Sequence, residues 1–177
     1  GVSALTVAGT GIVTASKEVI QTDYMIDQWR LASNYGVNDS VISSGWERPD
    51  DASYGRIGTG MTESSGVFTF PTTGVYLVTF HVRFNIEYSD TFAEVQLKVS
   101  TDGGNSSDVV ATVGKGSTHT ATGSYHGSIS ALVNVTNASN FQVFTKASSM
   151  EGNSTEVRGH TDENQTMLIF ERKGPSQ

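Results

Sequence analysis

The chain contains no cysteine in 177 residues. That excludes disulfide staples, thiolate metal sites and cysteine nucleophiles together. Stability has to come from packing, and this length suffices for one domain with a sizeable core. Positive charge is also sparse: 11 Lys and Arg stand against 18 Asp and Glu, for a net charge of −7, and the basic residues form no cluster. Nucleic acid is excluded as a partner, because neutralising phosphates needs a concentrated basic patch. An anionic membrane surface is disfavoured for the same reason. No apolar run approaches the length of a membrane span, and the N-terminus lacks the charged-then-apolar build of a signal peptide. An initiator Met before Gly1 is expected to be trimmed, which fits a near-complete gene product. Leu5 stands where myristoylation needs Ser or Thr.

What fills the chain is Ser, Thr, Asn and Gly, with only 36% hydrophobic and 16% charged residues. This composition suits a β-protein with many turns and polar strand faces. The clearest strand follows Gly74, where Tyr76, Val78, Phe80, Val82 and Phe84 recur at period two and point to one face. The alternate set, Val75, Leu77, Thr79, His81 and Arg83, grows more polar along the chain, so the second face runs from covered to wetter surroundings. Further alternations predict strands at Phe92–Val99, Asp108–Val113, Tyr125–Val135, Phe141–Ala147 and Thr166–Arg172. Asp102-Gly103 between two of them is a hairpin signal, since such a turn needs positive φ. Residues 34–51 read as loop with a short strand near Val41–Trp46, Trp46 being core. Lys17–Leu31 fits either a helical face through Ile20, Tyr24 and Leu31 or a strand over Asp27–Leu31. Residues 114–123 read as a loop, and 151–165 as a polar loop or edge hairpin. About eight to ten short strands separated by turns indicate a sandwich or jelly roll.

Phe68, then five residues, then Gly74-x-Tyr76-x-Val78-x-Phe80 resembles the signature of the C1q/TNF-like jelly-roll family. Thr166-Met-Leu-Ile-Phe-Glu171 resembles that family's closing apolar strand. The order Trp46-Glu-Arg, Tyr54-Gly-Arg-Ile-Gly-Thr-Gly-Met61, Phe68-Thr-Phe-Pro and Gly74-x-Tyr76 is similar to C1q-like domains in structural proteins of marine bacteriophages. The resemblance implies an all-β jelly-roll β-sandwich of the C1q/TNF-like type with a short N-terminal arm, and it favours a strand in the Lys17–Leu31 segment. Residues 1–16 are then an arm or an extra hairpin, and 17–177 the C1q/TNF-like jelly-roll domain. The resemblance also implies a homotrimer whose aromatic and aliphatic side chains meet around a threefold axis. Tyr76, Phe80, Phe144, Leu168 and Phe170 are the candidates for that seam. In the arm, Leu5, Val7, Ile12 and Val13 are the candidate anchors, through strand addition to a partner.

The chemistry-bearing residues point away from catalysis. His81, His119, His126 and His160 are widely spaced, none with a second ligand-type residue at a zinc interval. Tyr54–Gly60 carries three glycines but lacks the Lys and the helix of a phosphate loop, so it is turn chemistry. There is no Gly-x-Ser-x-Gly elbow. Asp50-Asp51 and Asp162-Glu163 are loop pairs. Asp102, Asn105 and Asp108 lack the Gly and Glu of a calcium-binding helical loop. Some members of the resembled family bind calcium, which leaves this oxygen-rich loop as its place. No cofactor is expected otherwise. Six Asn-x-Ser/Thr sequons, at Asn38, Asn105, Asn134, Asn137, Asn153 and Asn164, arise readily in so Asn-, Ser- and Thr-rich a chain. Tyr35, Tyr54, Tyr88 and Tyr125 would serve either as sugar platforms or as core and interface rings.

The expected function is a non-enzymatic virion structural protein: a trimeric capsid decoration or fibre-associated protein on the virion surface, partnered by itself and by capsid or fibre proteins. Lack of cysteine agrees with assembly in a reducing cytoplasm. The alternative is an extracellular recognition module, a fibre knob or C1q-like lectin. It would bind host glycan through loops such as Thr101–Asp108 and Gly114–Gly123.

Overall fold

The computed structural model describes residues 24–116, 121–151 and 154–177. Residues 1–16, with the anchor candidates Leu5, Val7, Ile12 and Val13, lie outside the described residues, as does His119.

Twelve strands are present among the described residues: β1 (Ile26–Leu31), β2 (Ser40–Val41), β3 (Trp46–Glu47), β4 (Thr62–Ser64), β5 (Val67–Thr69), β6 (Gly74–Ile86), β7 (Phe92–Ser100), β8 (Asp108–Gly116), β9 (Gly123–Val135), β10 (Gln142–Ser148), β11 (Glu156–Val157) and β12 (Met167–Gly174). They form two antiparallel sheets. In the first, β3, β1, β12, β6 and β9 lie side by side, with β11 continuing the β12 side of β6. In the second the order is β4, β5, β10, β7, β8, and β2 sits beside β5 on the same edge of β10.

Period-two patterning explains both sheets. Along β6 every even-numbered residue from Tyr76 to Ile86 is buried and every odd one half-buried. From the facing sheet come Ala93, Val95, Leu97 and Val99 of β7 and Val143 and Ala147 of β10. The core is richest in rings at one end. Phe68 has Trp29, Trp46 and Phe170 at centroid distances of 5.4, 5.5 and 5.3 Å. Phe70 meets Tyr76 at 4.7 Å. Edge and tilted geometries of this kind add to the burial of each ring.

Several expectations change. The single strand expected near Val41–Trp46 is two two-residue strands in different sheets. β2 pairs β10, β3 pairs β1, and the chain crosses the sandwich between them. Buried Ile42 anchors that crossing, and its carbonyl accepts from Trp46 Nε1 at 2.8 Å. The β4–β5 hairpin was not signalled as a strand pair, because its three-residue strands are too short to show a period. Its turn has Ser65 at φ 52° and Gly66 at φ 79°, the double positive φ that a two-residue hairpin loop uses. The segment 17–31 ends in strand β1, and the described residues of 151–165 contain only the two-residue β11.

Candidate assembly surface

The seam candidates divide by strand parity. Tyr76, Phe80, Leu168 and Phe170 have no accessible surface and lie between the two sheets of the one chain. Side chains with nothing left to present cannot line a seam with another copy, so these four are corrected to intramolecular core. Phe144 differs: it is half-buried on the outer face of β10, since its neighbours Val143 and Thr145 point inward.

The residues one step along from the corrected four build a different surface. Three cross-strand rows run over the outer face of the first sheet. Leu132, Leu77, Glu171 and Ile26 form one; Ser130, Thr79, Ile169 and Gln28 the next; Ser128, His81, Met167 and Arg30 the third. All positions of β6 and β12 in these rows are half-buried, and Leu132 is 69% exposed. An outer sheet face carrying Leu, Ile and Met in register is apolar for a surface exposed to water.

One edge of the sandwich is open among the described residues. Among the described residues β9 pairs only β6 and β8 pairs only β7, so each leaves a backbone edge unpaired. The inward-facing Ala111 and Val113 of β8 and Tyr125, Ile129 and Ala131 of β9 are only partly buried there. The two edges approach closely at Gly127, where an added Cβ would stand 2.2 Å from Val113 Cγ2. β9 is 13 residues long and contains neither proline nor any Asp, Glu, Lys or Arg. Natural edges are normally blunted by such residues, and an unblunted edge invites pairing or docking.

Two ionic clusters brace this sheet at its β1 side. Asp27 is completely buried, and its carboxylate accepts from Arg48 Nε (3.0 Å) and Nη2 (2.9 Å), Trp29 Nε1 (3.0 Å) and Met61 N (2.7 Å). The Tyr54 hydroxyl lies 3.2 Å from the same group and 3.0 Å from the Gln28 carbonyl. Arg48 also stacks over the Trp29 ring at 4.2 Å. The bonds to Asp27 raise the Arg48 pKa above its ordinary value, and burial raises that of Tyr54. Arg30 is buried on the outer face and ringed by Glu47 (2.8 Å), Asp50 (2.6 Å) and Asp51 (3.1 Å). Burial alone would lower its pKa, but its hydrogen bonds to the three carboxylates outweigh that and raise it. Asp50-Asp51 are thus partners of Arg30, a role no local spacing signals.

The remaining sequence candidates scatter. His81 and His126 lie on the outer face of the first sheet, and exposed His160 accepts from Asp162 N at 3.0 Å. Asp102 turns inward on its own loop, taking Ser106 Oγ (2.6 Å), Ser106 N (2.9 Å) and Ser100 Oγ (2.9 Å). The bonds to Ser106 chiefly hold its carboxyl down at about 2. Among the described residues no group of three or more His, Asp or Glu is arranged to hold a metal ion. Of the four candidate tyrosines, Tyr35 is core, Tyr54 belongs to the Asp27 cluster, and Tyr125 lies under Lys115 at 5.4 Å. Tyr88 is 56% exposed.

No family model matches the chain, and no curated protein does. Solved structures do. A structure of murine APRIL has a TM-score of 0.57 at 13% identity, covering 85% of this chain and 99% of that one. Eiger TNF from S. frugiperda has a TM-score of 0.63 at 10% identity, covering 87% of this chain and 95% of that one. A second murine APRIL structure, at pH 5.0, has 0.56 at 16% identity. Two facing antiparallel sheets in this strand order, matched over most of the chain, make this protein a TNF-like jelly-roll sandwich.

Proposed function

We propose that this chain is a non-enzymatic structural module that self-associates as a trimer and serves on a virion surface, as capsid decoration or as a fibre-associated protein. The observation that carries self-association is β9: a 13-residue edge without charge or proline, beside a partly open sandwich mouth and an apolar outer face. A second copy is the occupant that complements both, its β8/β9 edge lying against the outer face of the first sheet. The TNF-like fold supports closed threefold association as the resemblance implies. Support for the virion role comes from the sequence likeness around Trp46-Glu-Arg, Tyr54–Met61 and Gly74-x-Tyr76 and from the cysteine-free composition.

The test is solution mass by light scattering for the wild-type chain and for Leu132→Glu. The wild type is expected at about three times 18.9 kDa, and the variant, folded by circular dichroism, as a monomer. A wild type that stays monomeric at micromolar concentration overturns self-association. Cosedimentation with capsids or fibres tests the virion role, and no retention on either removes it. Exposed Tyr88 favours a second reading, glycan recognition at the virion or extracellular surface. Glycan-array binding lost in Tyr88→Ala would promote that reading over the first.

A further inference from the structure

Arg83 lies on the outer face of β6, in a chain whose other partly buried arginines are engaged. Arg30 is held by three carboxylates, Arg48 by Asp27 and Arg158 by Glu156. The Arg83 Nε is buried without a hydrogen-bond partner, and its guanidinium makes no ion pair among the described residues. Only its backbone is engaged: the amide donates to Thr166 Oγ1 at 3.1 Å and the carbonyl accepts from Arg158 N at 2.7 Å. A buried N–H left unpaired is costly, so such a group in a folded protein asks for an account.

The surroundings are basic and polar. His126 stands directly opposite Arg83 on β9, at the spacing where cross-strand side chains meet. His81 precedes Arg83 by two residues on the same face. On the other flank is Gln165, next to the Thr166 that bonds the Arg83 amide, and its Oε1 is likewise buried and unpartnered. The nearby carboxylate, Glu156, meets Arg158 and Asn34 Nδ2 (3.0 Å) through the one oxygen Oε1. In a molecule of net charge −7, Arg83, His81 and His126 bring three donor-bearing side chains to one patch of the outer face.

We propose that this end of the outer sheet face binds an oxyanion of the carboxylate, phosphate or sulfate class, with Arg83 as the principal donor and His126 beside it. The planar guanidinium presents paired N–H groups that match two oxygens of such an anion, a match an ammonium does not make. The site does not depend on self-association. Where copies do meet through this face, the anion would sit at their contact and neutralise charges that would otherwise repel.

The test titrates inorganic phosphate, and separately sodium sulfate and sodium acetate, into the full chain at constant ionic strength held with sodium chloride. Binding is followed by calorimetry and by the histidine ring proton resonances. Saturable binding of at least one oxyanion is expected, with shifts at His126 or His81. Arg83→Gln should weaken it at least about tenfold and Arg83→Lys by less. Lys98→Gln, which removes a cation of β7 in the other sheet, should leave it unchanged. No saturable response in the wild type overturns the proposal, as does a response that survives Arg83→Gln or falls equally in Lys98→Gln. Phosphate, sulfate and acetate together distinguish a phosphate-type ligand from a carboxylate such as an acidic side chain of another copy. Solution mass measured on the same samples separates this test from that of self-association. A trimer that binds no oxyanion removes only the site, and a monomer that binds one removes only the trimer.

Discussion

Breaking the Asp27–Arg48 pair should cost more than its position near the sandwich edge suggests, and the two single variants should not add. Asp27→Ala leaves Trp29 Nε1 and Met61 N without their acceptor and the Arg48 guanidinium with only the Met61 carbonyl. Arg48 retains 30% exposure and rehydrates in part, whereas Asp27 has none. Arg48→Met therefore strands a fully buried carboxylate on neutral donors and also loses the contact with Trp29 at 4.2 Å. Removing one partner of a buried pair costs about 3–5 kcal/mol, so each variant should lose roughly that much. For a chain of this size that corresponds to a fall in Tm of about 6–20 °C. The double variant Asp27→Ala/Arg48→Met carries no stranded charge, and its loss should fall short of the sum by about 1–3 kcal/mol. Urea unfolding at one fixed protein concentration, followed by fluorescence of the two tryptophans, reads all three; fixing the concentration keeps any association term constant. Single variants within about 1 kcal/mol of wild type, or an additive double variant, would refute the view that this cluster pins the 48–61 segment to β1.

Two further outcomes follow from local geometry. Gly66→Ala and Gly103→Ala both place a side chain at positive φ, 79° and 75°, for which about 1–2 kcal/mol is typical. At Gly66 the new Cβ would also stand 2.1 Å from the Ile42 carbonyl oxygen, whereas nothing lies within 4 Å at Gly103. Gly66→Ala should therefore be the more destabilising by at least about 1 kcal/mol in the same unfolding assay, and equal losses would show that the β2–β5 approach is not tight. For pH, Asp102 has a folded pKa of about 2 against an ordinary 3.8. A depressed carboxylate contributes stability above pH 4 that is lost as pH falls towards 2. Asp102→Asn should flatten that leg of a Tm-against-pH curve, modestly because the group is exposed, and parallel wild-type and variant curves would count against the loop bonds to Ser106 and Ser100.

Strand identity was legible in the sequence wherever a strand is long and covered on one face. β6, β7, β9, β10 and β12 all show the period-two pattern that burial of one face imposes, and the reading as a sandwich or jelly roll followed from them, the resemblance choosing the jelly roll. What the pattern left open was which face meets what. Tyr76, Phe80, Leu168 and Phe170 are the large apolar members of their strands, and a large apolar residue suits a core and a subunit seam equally well. The two-residue strands β2, β3 and β11 have no period to read, and their sheet membership depends on where the chain crosses the sandwich.

The sequence by itself determined the all-β class, the lack of disulfide and thiolate chemistry, and the positions of the long strands, because alternation and composition are local properties that survive without a partner. Tertiary structure alone decided the sheet order and the division between core and outer face. It also decided the pairing of Asp27 with Arg48 across 21 residues and the isolation of Arg83 opposite His126. Burial and charge neutralisation are set by which segments meet in space, and chain distance carries no record of that meeting.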